Sequence, residues 1–243
     1  MLLISLIIGI AICFGLPIAG LIFLMRKRKG AGKAFAWGAA AFVVSQLLIR
    51  VPILQLLLPN FAWFGAMQLY PWAYGLFLGL TAGLAEETAR WIAFRYLLKG
   101  KHTLEHGLAF GLGHGGIEAM LLVGLNMIAG AVMTLTGQAA QFPADSGSVL
   151  VAGAERLFAM AFHVGASLLI LYGVRTGRGL WYWILAVALH GVLDAAVVIL
   201  PAVFGVGVLG LELCVAVVGS LTLALGIRLC RTPDAPDGLK QKT

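Results

Sequence analysis

Charged residues are scarce in this chain: Asp, Glu, Lys and Arg make up 11% of its 243 residues, against 61% hydrophobic. A soluble domain carries about a quarter of its residues as charges, so an ordinary water-clad globule is excluded. Cysteine is nearly as sparse. Cys13, Cys214 and Cys230 lie in or at the end of apolar stretches, without metal-ligand spacing and in odd number, which excludes a disulfide scaffold and gives no sign of a cysteine nucleophile. The sequence also has no Gly-rich phosphate loop, no His-Glu-x-x-His segment and no internal repeat.

What it has is long apolar sequence, with a mean hydropathy of +0.98. Stretches near or above the roughly 20 residues needed to cross a bilayer run at about 2–25, 34–58, 72–98, 104–134, 150–174, 180–200 and 206–230. The pattern predicts an all-α polytopic membrane bundle of about seven transmembrane helices. Residues 1–231 form one transmembrane domain, and 232–243 read as a disordered cytosolic tail.

Of the 17 Lys and Arg residues, 13 fall in four clusters: Arg26 to Lys33, Lys99 with Lys101, Arg175 with Arg178, and Arg228 to Lys242. The intervening loops at about 59–71, 135–149 and 201–205 contain none, so seven spans place every cluster on one side. The N-terminus is therefore expected outside and the C-terminus in the cytosol, in the plasma (inner) membrane of a prokaryote. The net charge of +7 follows from this topology and from attraction to anionic lipid, and nucleic acid is not an expected partner. The first apolar stretch precedes its basic run, the reverse of a cleavable signal, and is expected to stay as an anchor.

Ionisable residues within spans are costly and mark function. Glu87, His114, His163 and His190 each lie 12 or 13 residues from the nearest basic residue at one end of their stretch. At about 1.5 Å per residue this puts all four roughly 18 Å below one membrane face. Glu86 and Arg90 are i,i+4 neighbours able to pair, which leaves Glu87 as the freer carboxylate, suited to take a proton from water. His114 shares a face with Glu118 amid glycines, of which Gly111 and Gly115 form a close-packing pair. Arg156 and His163 share another face, and His190 with Asp194 at i,i+4 lets a carboxylate orient an imidazole. Against a reacting role, Glu86, Glu87 and Arg90 could form a structural ion-pair cluster, and a lone His such as His163 is often a hydrogen-bonded core residue.

These residues resemble the motifs of the intramembrane glutamic proteases related to the CAAX-prenyl protease and bacteriocin-processing family and to PrsW, most closely the YhfC-type branch. The matching segments are Glu86-Glu87-x-x-Arg90, Phe110-x-x-x-His114 and His190-x-x-x-Asp194, within residues 72–200. The resemblance implies a hydrolase in which Glu86 or Glu87 activates water, His114 and His190 hold the oxyanion, and Asp194 orients His190. Arg90 belongs to the first motif and supports them; Glu118, Arg156 and His163 lie outside the general three-motif pattern and are expected to extend the oxyanion or substrate-positioning network. The family pattern has three residues between its Glu pair and Arg where this chain has two, so the resemblance points to Glu86 and the pairing argument to Glu87. The implied substrate is a membrane-associated or lipidated protein reached through a cavity open toward the cytosol, with no cofactor.

Two kinds of alternative stay open. Three His and several carboxylates in one layer could bind Zn²⁺ through His114, His163, His190 and Glu87, giving a zinc-dependent intramembrane metalloprotease. His and Glu within spans also build the proton relays of a proton-coupled transporter, and a protease-like bundle can serve as a non-catalytic membrane scaffold.

Overall fold

The computed structural model describes residues 1–231, and the expected tail at 232–243 lies outside them. Besides a single 3-10 turn at Ala139–Gln141, the described residues form eight helices: α1 (Leu2–Lys27), α2 (Ala31–Asn60), the short α3 (Ala62–Gln68), α4 (71–97), α5 (Leu104–Leu135), α6 (Ser146–Arg175), α7 (Gly179–Phe204) and α8 (Val208–Arg231). Six are long and apolar enough to cross a membrane: α1, α2, α5, α6, α7 and α8. α4 has the length but carries Glu86, Glu87, Arg90 and Arg95, which lower its apolarity; the seventh expected span rests on this helix. The chain is a multi-pass membrane protein, and its outward faces carry exposed Leu48, Leu56, Leu76, Leu80, Val192, Leu213 and Leu221 where lipid would lie.

Turn chemistry sets the helix ends. Gly30, Gly100, Gly137, Gly177 and Gly205 take positive φ in the connections, where a side chain would be strained. α6 starts where Asp145 accepts the Ser148 N–H at 2.8 Å, a bond that holds the exposed Asp145 carboxyl below its ordinary range.

α6 is the central helix: 67% of its most apolar window is buried, against 17–33% in the five other candidate spans, and Leu168, Leu169, Ile170 and Leu171 are fully enclosed. Its neighbours are brought in by small residues. Without a hydrophobic drive between helices in lipid, close backbone approach supplies the packing. Gly75, Gly79 and Gly83 seat α4 on α7; a Cβ on Gly79 would stand 2.1 Å from the Gly191 carbonyl oxygen. Gly111 and Gly115 seat α5 on α6 at Val164 and His163, and Gly38 and Gly113 cross α2 and α5 against Phe110 and Phe35. Each seam lies within about two turns of a buried polar residue, so the packing that closes the bundle also gathers the site.

Candidate active site

Glu86 is the hub. The residue is 2% exposed, and three imidazoles from three helices face it. His114 Nε2 on α5 donates to Oε2 at 2.8 Å, His163 Nδ1 on α6 lies 3.9 Å from the same oxygen, and His190 Nε2 on α7 lies 3.8 Å from Oε1. The rings of His114 and His163 are 4.8 Å apart and those of His163 and His190 5.6 Å apart. Glu87, His114, His163 and His190, assigned one depth from residue counting, do meet in one place.

The partners fix the tautomers. Arg90 can only donate; its Nη1 bonds the His163 carbonyl at 3.0 Å and its Nη2 reaches His163 Nδ1 at 3.2 Å, so Nδ1 accepts. The His163 proton then sits on Nε2 and is donated to Glu118 Oε2 at 2.6 Å. Glu118 Oε1 in turn accepts from Arg156 at 2.8 Å, and Arg156 also pairs with Glu155. On α7, His190 Nδ1 donates to Glu87 Oε1 at 2.8 Å, which leaves Nε2 turned toward Glu86. Two imidazoles thus have one nitrogen held by a carboxylate and the other presented to the hub, the arrangement that orients metal-binding histidines. His114 Nδ1 is buried without a hydrogen-bond partner.

Two expected pairings are replaced, and the carboxylate expected to be free is not. Arg90 approaches Glu87, at 3.5 Å, and not Glu86. The reason is that Glu86 points across the helix interface to His114 and Gln46, while Arg90 is drawn to the α6 backbone. Glu87 is accordingly enclosed, with no exposed surface, between Arg90 and His190. Asp194 Oδ2 lies 3.9 Å from His190 Nε2, beyond hydrogen-bond reach, because Glu87 has taken the other ring nitrogen; Asp194 instead faces the cavity with 37% of its side chain exposed.

Gln46 and Arg50 complete the cluster from α2, and sequence reading does not single them out. Gln46 donates to Glu86 Oε1, and its own oxygen accepts from Arg50 Nη1 at 3.1 Å. The available signal was a lone amide four residues before a cation within an apolar run. A cavity of about 270 Å³ borders Glu86, Glu118, His163, His190, Gln46 and Asp194. It continues along Arg50, Val51 and Leu122, residues farther from the basic helix ends than Glu86 and its imidazoles. The expected opening was toward those basic ends; the lining runs the other way.

The profile of the family described as "YhfC intramembrane metalloprotease" matches residues 12–145 and 126–219. The chain belongs to the YhfC family. It is also 32% identical over 238 residues, covering 88% of this chain and 90% of the relative, to a protein of Bacillus subtilis (strain 168) described as "Uncharacterized membrane protein YhfC". No solved structure matches. The family's description turns attention to metal, and the donors suit one. Glu86, His114 and His163 offer ligand atoms all within 4.8 Å of one another, a carboxylate and two imidazoles of the type that holds catalytic zinc. Glu87, one of the zinc ligands suggested by the sequence, stands behind His190 in this structure, and Glu86 takes its place at the hub.

Proposed function

We propose that the chain hydrolyses a peptide bond of a membrane-embedded or membrane-associated protein, with a divalent metal held by Glu86, His114 and His163. The observation that carries this reading is the convergence of three imidazoles on one buried carboxylate, two of them braced from behind by Glu87 and Glu118. A metal bound there supplies Lewis-acid polarisation of the scissile carbonyl and makes water acidic near neutral pH.

The protein's own groups do the rest. Arg90 keeps its bond to the His163 carbonyl and holds α6 against α4 when His163 Nδ1 is engaged elsewhere. His190, with Glu87 fixing its tautomer, presents an unprotonated Nε2 to the cavity, where it can take a proton from the attacking water and, as the imidazolium, hand that proton to the leaving amine. The cavity of about 270 Å³ has room for several waters, at about 30 Å³ each. Burial of the whole set strengthens each electrostatic contact. The basic clusters orient the bundle with its N-terminus outside and C-terminus in the cytosol, in a prokaryotic plasma membrane, with α4 as the seventh span.

A second reading, the metal-free glutamic mechanism, is favoured by one observation: the direct 2.8 Å bond between His114 Nε2 and Glu86 Oε2 already joins a carboxylate base to an electrophilic imidazole. Elemental analysis of the purified protein separates the two. The metal reading expects stoichiometric divalent ion, its loss in His114→Ala and His163→Ala, and chelator-sensitive cleavage of fluorogenic transmembrane peptides in liposomes. Cleavage in metal-free protein that is abolished by Glu86→Gln would move the assignment to the glutamic mechanism. Wild-type cleavage rates in Glu86→Gln would end both.

A further inference from the structure

Glu86 must point at three histidines on three different helices, yet nothing in α4 itself holds its carboxylate there. His114 holds one oxygen from α5, and the restraint on the other comes from α2. Gln46 is buried at 8% exposure in a π-helical stretch, Val43–Arg50, of the kind often found at functional sites. Its amide orientation is fixed by its neighbours. Arg50 Nη1 can only donate, so the atom it meets at 3.1 Å is the Gln46 oxygen, and the amide nitrogen is left to donate to Glu86 Oε1. Arg50 is anchored in turn to the helix that carries Glu86: Nη2 bonds the Leu78 carbonyl at 2.7 Å and Nε bonds the Thr81 hydroxyl at 3.2 Å. The loop of contacts therefore closes on α4, from Leu78 and Thr81 through Arg50 and Gln46 to Glu86.

We infer that Gln46, locked by Arg50, is a positioning residue that holds the Glu86 carboxylate in register with His114, His163 and His190. With Oε1 engaged by the amide, Oε2 is left for His114. A leucine at 46 would fill similar volume but release the carboxylate to rotate, and a glutamate would place a second anion beside it. The contact stands on geometry alone; its consequence for metal binding rests on the reading of Glu86 as a metal ligand.

Two measurements on the full-length protein in detergent test it. The first is a double-mutant cycle in melting temperature with Gln46→Leu, Glu86→Leu and the double variant. Coupled partners give a double variant that loses less than the sum of the single losses. The second is titration with Co²⁺, followed through its visible absorption. Gln46→Leu is expected to bind Co²⁺ about 10- to 100-fold more weakly and with an altered band, as when an outer-shell partner is lost. Additive melting losses overturn the inference, as does a Gln46→Leu protein with wild-type Co²⁺ affinity and spectrum. If the wild-type protein binds no Co²⁺ and cleaves no peptide, the metal reading fails, and the melting cycle alone decides whether Gln46 holds Glu86.

Discussion

His190 Nδ1 sits 2.8 Å from Glu87 Oε1, so the second carboxylate of the Glu86-Glu87 pair faces away from the hub and grips the back of an imidazole. Adjacent residues on one helix point about 100° apart, and the two carboxylates use that difference to serve opposite sides of the same ring. Glu87→Gln is therefore expected to differ in kind from Glu86→Gln. The amide can still accept from Nδ1–H but loses charge and its approach to Arg90, so peptide cleavage should fall about 10- to 100-fold with partial metal retained. Glu86→Gln should abolish both. Matched metal contents and kcat/KM values for the two variants check this ordering.

Asp194→Asn should be far milder than either. At 3.9 Å the Asp194 carboxylate does not hold His190, and 37% of its side chain is exposed, against 4% for His190. Expected is at most a few-fold change in kcat with any larger effect in KM, since Asp194 lines the cavity. A loss equal to that of His190→Ala would contradict the structure.

Arg156 bridges Glu118 and Glu155 with only 14% of its side chain exposed. Arg156→Ala leaves two acidic groups poorly compensated in a low-dielectric setting, a loss of about 3–5 kcal/mol where such pairs are broken. Thermal unfolding in detergent should show a large drop. The double variant Arg156→Ala with Glu155→Ala should recover part of it.

The glycine seams offer a test of how the site is held. Gly79→Ala puts a Cβ 2.1 Å from the Gly191 carbonyl oxygen and must push α4 off α7, parting Glu87 from His190. Lower melting temperature and lost cleavage are expected together. Gly15→Ala, with open space around the added methyl, should lie within about 0.5 kcal/mol of wild type.

Much of the site was legible because rarity carries information in a membrane chain. An acid or imidazole inside an apolar stretch stands out, and counting residues to the basic helix ends assigned Glu87, His114, His163 and His190 a common depth that agrees with their meeting. Pairing was not legible. Spacing favours partners on the same helix, Glu86 with Arg90 and His190 with Asp194, whereas the structure takes partners across helices: Glu86 with His114 and Gln46, His190 with Glu87, Glu118 with Arg156 and His163. Those choices depend on which faces meet, and glycine seams determine that. Gln46 was missed because an uncharged amide gives a weaker signal than a charge. α4 fails the apolarity that marks the six other long helices for the same reason that it matters, its carboxylates and arginines.

Where Gly79 meets Gly191 and Gly111 meets Val164, main chain rests on main chain with no flexible side chain between. Such joints have nothing to compress. The spacing of the buried carboxylates and imidazoles is then inherited from backbone geometry, and the lipid-facing surfaces of the same helices are free to drift in sequence, and to suit bilayers of different thickness, without disturbing the cluster inside.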